Sequence, residues 1–133
     1  MKSKFIGAGN LILYGSYSRR DVGFAHTQLS FMRINEHERI GFFNLGDNYD
    51  NRLTKKGFIL HPRDDLNNDR LINELRRCIT YLFLRKGNTG LYYYVGTSEY
   101  ASRHDKNHLM LKLNVSSIPV NVVKKLGGFQ PLP

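Results

Sequence analysis

Cysteine is nearly missing from this chain of 133 residues: Cys78 stands alone. A lone cysteine excludes an internal disulfide and a multi-cysteine zinc site, and it fits a reducing, intracellular compartment. Long apolar runs are missing too. None reaches the roughly 20 residues that span a bilayer, and the apolar part of residues 1–9 is too short for a signal peptide. A cytoplasmic location with no membrane partner is the expectation. Acidic residues are scarce, 11 against 20 lysines and arginines, which leaves a formal net charge of +9. A small domain needs far less charge than that for solubility, so the excess points to a polyanion, nucleic acid first. Linkers, internal repeats and low-complexity tracts are absent, so residues 1–133 are expected to form a single domain around one core.

What is present leans toward β structure: 12 glycines, eight tyrosines and 41% hydrophobic residues, enough for a globular chain. Strands are expected at 11–14, 29–34, 39–45, 56–60 and 109–113. A hairpin is expected at 80–96, turning at Gly87-Asn88 and continuing to 102, with Arg85 and Lys86 at its rim. Ser18 reads as the N-cap of a short helix, and Asp21 three residues on completes a shortened capping box. Leu71, Ile72, Leu75 and Cys78 recur at helical spacing over 69–78. Pro119 suits the first turn of a helix that Gly127 stops. The sum is an α+β chain with about six strands and three short helices. Consecutive antiparallel pairs suggest a small, strongly bent antiparallel β-barrel.

Several of these segments together resemble the C-terminal domain of helicase-fused, modification-dependent (type IV) restriction enzymes. Residues 11–14 followed by Tyr17-Ser18-Arg19-Arg20-Asp21-Val22 look like its opening apolar strand and Tyr-Ser/Thr-Arg-Lys-Asp-Val motif. Tyr49-Asp50-Asn51-Arg52-Leu53 looks like its Tyr-Glu/Asp-Asp/Asn-basic-Phe segment. Tyr81-Leu82-Phe83-Leu84-Arg85-Lys86 is similar to its Leu-Phe-Val-Arg-Lys strand. Tyr92-Tyr93-Tyr94-Val95-Gly96, with Tyr100-Ala101-Ser102, is similar to its Tyr-Tyr-Tyr-Leu-Gly…Tyr-Val-Ser strand. The resemblance implies an SRA/PUA-like fold that recognises duplex DNA carrying modified cytosine. Nuclease and helicase domains of the same or another chain would cut and translocate. This chain carries neither domain, and Ile59 or Leu60 stands where family members often have a tryptophan after the Tyr-Glu/Asp motif.

Recognition of that kind extrudes a base from the duplex, at a cost of a few kcal/mol, and tests it in a pocket. The pocket needs aromatic faces, an acceptor for the base edge and cations for the phosphates. Phe42, Phe43, Asp47, Tyr49 and Asp50 are the candidates for the base pocket, with an aspartate accepting from the exocyclic amine of cytosine. The plainer alternative packs Tyr49 on the core and makes Asp50 a turn cap. Arg19, Arg20, Arg52, Lys55, Lys56, Arg63, Arg85 and Lys86 are the phosphate candidates, since all fall near element ends or loops. The three consecutive tyrosines must alternate faces, so at least one belongs to the core. No catalytic residue, metal or cofactor is expected. His104-Asp105-x-x-His108 lacks the zincin glutamate and falls in an expected turn, while Asp64, Asp65 and Asp69 precede a helix that their charge would cap. Two rivals stay open. One is a small basic nuclease using Asp47, Asp50, Asp64, Asp65 and the histidines; the other is a protein-interaction subunit whose tyrosines meet a partner.

Overall fold

In the computed structural model, residues 5–46 and 48–132 are described. Their eight strands are β1 (Ser16–Tyr17), β2 (Phe31–Arg33), β3 (Glu38–Leu45), β4 (Arg52–Leu53), β5 (Phe58–Pro62), β6 (Ile79–Lys86), β7 (Tyr92–Asp105) and β8 (His108–Leu113). Three short helices join them, α1 (Arg19–Val22), α2 (Asp69–Arg77) and α3 (Val120–Lys125), with a 3₁₀ turn at Ala8–Asn10. Seven strands form one sheet in the order β2-β3-β6-β7-β8-β5-β4, and β1 pairs with β7 off this path.

The central strands explain the apolar runs in the sequence. On β3, Ile40 and Phe42 enter one core cluster and Phe43 and Leu45 the other; β6 divides Tyr81 and Phe83 from Leu82 and Leu84 in the same way. Successive strand residues point to opposite faces, so both faces of these strands are buried. The first cluster is covered by the N-terminal segment through Val22, Phe24 and the packed Phe5 and Leu11. The second lies under β5, β8, α2 and α3, with Ile59, Leu75, Leu109, Leu111, Val122 and Leu126 among its members. Of the three tyrosines, Tyr92 and Tyr94 belong to the first cluster and Tyr93 packs against the second.

Local signals held where they were strong. Ser18 accepts from Asp21 N–H, and the Asp21 side chain accepts from Ser18 N–H, a complete capping box. Asn68 caps α2 by accepting from the N–H groups of Arg70 and Leu71, with Asp69 in the first turn and Arg76 and Arg77 in the last.

Three expectations are corrected, and a fourth, the barrel, is met only in part. The sheet is mixed rather than antiparallel: β3 and β6 run parallel over eight residue pairs, from Glu38↔Ile79 to Leu45↔Lys86. The intervening β4, β5 and α2 form the crossover that a parallel pair requires. Nor is the sheet closed: among the described residues no ladder joins its outer strands β2 and β4, and a single parallel bridge, Leu45↔Asn51, draws the loop after β3 back onto that strand. Residues 11–14 are not a strand. Tyr14 has φ 64, and its N–H donates to Tyr94 O at 2.7 Å while Tyr94 N–H donates to Gly15 O at 3.0 Å, so the segment turns onto β7. Arg103 and His104, expected in a turn, continue β7 instead, and Asp105 Oδ1 accepts from Asn107 N–H to make the turn. Register shifts against β6 and β8 accompany this long strand and bend it. No described helix is long and apolar enough to cross a membrane.

Candidate nucleic-acid interface

A cavity of about 590 Å³ opens between α1, the ends of β3 and β6, and the loop that follows β3. Arg19, Phe42, Tyr49, Asp50 and Arg85 line it, together with Asn44, Asn51, His61 and Tyr92. The fold explains the gathering. Phe42 and Asn44 share a face of β3, two residues apart. The parallel register sets Asn44 opposite Arg85 on β6. The Leu45↔Asn51 bridge folds the loop carrying Tyr49 and Asp50 back beside them.

Both arginines are held by what surrounds them. The Arg19 guanidinium lies 4.6 Å over the Phe42 ring and donates to the carbonyls of Leu29 at 2.7 Å and Thr27 at 3.3 Å. Arg85 lies 4.2 Å over Tyr92; its Nε donates to Asn44 Oδ1 at 2.7 Å and its Nη1 to Gly90 O at 3.0 Å. Such cation–π contacts hold a guanidinium in place while its outer edge stays polar. Tyr49 is half-buried and belongs to neither core cluster. Among the described residues its ring has no aromatic partner.

Asp50 is engaged on both oxygens. Oδ2 accepts from His108 Nε2 at 2.6 Å and Oδ1 from Arg52 Nη2 at 3.4 Å. The His108 bond, followed by the Arg52 contacts, outweighs burial and keeps the Asp50 carboxyl below its ordinary value. His108 also donates from Nδ1 to Asp105 at 2.9 Å. Burial opposes charge on His108, yet the two carboxylates outweigh it and raise the imidazole above its ordinary value. Both ring nitrogens of His108 are thus engaged by carboxylates. Among the described residues no three histidine, cysteine or acidic side chains are grouped to hold a metal ion. Asp50 is the one acidic side chain lining the cavity among those residues.

The other candidates lie elsewhere. Phe43 is fully buried on the opposite face of β3 from Phe42. Asp47 lies outside the described residues. Arg20 is exposed on α1, Lys55 and Lys56 form an exposed turn before β5, and Lys86 is exposed at the end of β6. Arg52 donates to Pro131 O at 3.2 Å as well as to Asp50. Arg63 is bidentate to Asp65, with both bonds at 2.7 Å. The sequence reading missed Asn44, Asn51, His61 and Tyr92 as lining residues. His61 carried a faint signal, since it follows the core residue Ile59 by two positions and a histidine there must face inward. Asn51 stood inside the Tyr49-Asp50-Asn51-Arg52-Leu53 segment that carries the resemblance, whereas Asn44 carried no signal, because an asparagine at a strand end is ordinary.

No protein-family model matches the chain, and neither does any curated protein.

Proposed function

We propose that this chain is a DNA-recognition module of a restriction system: it binds duplex DNA and takes an extruded base, modified cytosine first, into the cavity. One observation carries the reading. Arg19, Phe42, Tyr49, Asp50 and Arg85, nominated from the sequence for base or phosphate contact, line one cavity of about 590 Å³, within the roughly 300–1,000 Å³ of ligand sites. Bases stack on aromatic rings or on guanidinium planes; here the half-buried Tyr49 is the ring and Arg19 and Arg85 are the planes, while Phe42 and Tyr92, 1% and 3% exposed, back the two arginines. Each stack is worth roughly 1–3 kcal/mol, which offsets the few kcal/mol of extrusion. The +9 charge and the exposed Arg20, Lys55, Lys56 and Lys86 supply the phosphate field. Cleavage falls to nuclease and helicase domains in this or another chain. The SRA/PUA-like barrel is part of the same proposal; the bulged β7 and the Leu45↔Asn51 bridge are the features that support a sheet bent toward closure.

Titration of duplexes that differ only in cytosine modification, with Tyr49→Ala and Asp50→Ala beside the parent, tests the reading. The parent is expected to saturate at low salt and to prefer the modified duplex. Tyr49→Ala should lose about 1–3 kcal/mol of binding, the worth of one stack. Asp50→Ala should weaken binding by freeing the loop from His108. Absence of binding to every duplex at low salt sinks the proposal.

A further inference from the structure

Among the side chains of the cavity, His61 combines deep burial with an unspent ring nitrogen. It is 6% exposed, its ring stacks on Phe43 with centroids 4.3 Å apart and planes 8° apart, and it meets Phe31 edge-on at 5.6 Å. Asn51 fixes which nitrogen carries the proton. Its Nδ2 donates to the Asn44 carbonyl at 2.9 Å, so its Oδ1 is turned to His61 Nδ1 at 2.8 Å. An amide oxygen only accepts, so Nδ1 must donate and Nε2 is left as a bare lone pair. Burial first, then the nearby Arg63 charge, brings the imidazole down to about 3, which keeps it neutral. Among the described residues Nε2 takes no hydrogen bond. Asp50, nominated for the base edge, already has both oxygens bonded.

We infer that His61 is the specificity-determining acceptor of the cavity: its Nε2 takes a hydrogen bond from the exocyclic amine of an amino-bearing nucleobase, and Asn51 is the positioning residue that fixes its tautomer. The inference rests on the base-extrusion reading of the cavity. A base with a carbonyl in place of the amine sets two lone pairs against each other. Sites built on a buried polar group discriminate strongly by that route, because the group is left unpaired. So weakly basic an imidazole suits recognition rather than proton abstraction.

The test uses the full chain and two duplexes that differ only at cytosine, replaced in one by 2-pyrimidinone, which lacks the amine. The analogue pairs more weakly and is easier to extrude, so a cavity blind to the amine binds it at least as tightly. The parent is expected to bind the analogue duplex about five- to tenfold more weakly. His61→Phe, which keeps the ring stack on Phe43, is expected to bind the analogue at least as tightly as the cytosine duplex. Equal or tighter binding of the analogue by the parent, with the usual salt dependence, overturns the role of His61 and leaves phosphate binding standing. Failure of the parent to bind either duplex overturns the reading of the cavity along with it. Should His61→Phe not fold, the ¹⁵N resonance of Nε2 in the parent decides. Movement with the cytosine duplex alone supports the role; no movement with either contradicts it.

Discussion

His61 and His108 stand 47 positions apart in the chain, and they titrate in opposite senses. The folded-state value of His61 lies far below its ordinary 6.5, at about 3. The folded protein therefore binds fewer protons there than the unfolded chain, and stability falls as the pH drops from about 6.5 toward 3. The value of His108 is raised. Its contribution is complete below about pH 6.5 and is lost as the pH climbs through the raised value. Thermal melts across pH 4 to 8 should give a parent curve that falls on both sides. His61→Gln should flatten the acid side, and Asp105→Asn, which removes one of the two carboxylates on His108, should soften the alkaline side. An acid limb of unchanged steepness in His61→Gln contradicts the burial account of that residue. At this scale the sequence was legible where a residue acts on its neighbours. Ser18 and Asp21 cap one another across three positions, and that spacing is visible in any single sequence. The bond between Asp50 and His108 was not, because His108 lies 58 residues away and only the β5–β8 pairing brings it near.

Among the elements, β3 carries the most information. Its apolar run is buried on both faces, and Gly41 sits in its middle for a steric reason. A Cβ there would meet Phe43 Cζ at 2.9 Å and Leu82 Cδ2 at 3.1 Å. Gly41→Ala should overpack the core and destabilise the protein by about 1–3 kcal/mol, read as a lower denaturant midpoint at unchanged slope; an unmoved midpoint contradicts this packing. Most strands were legible from apolar runs and turn residues, including the hairpin at 80–96. The parallel pairing of β3 with β6 was not. Two strands with apolar residues on both faces fit either direction, and only the crossover through β4, β5 and α2 decides. Residues 11–14 misled because their apolar character suggested a strand, although Ile12 is 72% exposed and Tyr14 takes a left-handed turn.

For the molecule as a whole, the charge excess and the cavity are separate observations that meet in one reading. Composition alone pointed to a polyanion, and the fold brings two of the arginines, Arg19 and Arg85, into a cavity that Phe42, Tyr49 and Tyr92 also line. The candidate site was half legible. Residue types suited to stacking and phosphate contact could be picked from the sequence, whereas the Asn44, Asn51 and His61 network depends on long-range pairings that no local pattern announces. Base extrusion is the central claim, and the imino proton spectrum of the DNA tests it most directly. On saturation with protein, the account predicts that the imino resonance of the guanine opposite the modified cytosine disappears while the other pairs keep theirs. Retention of every imino resonance in the saturated complex would contradict it.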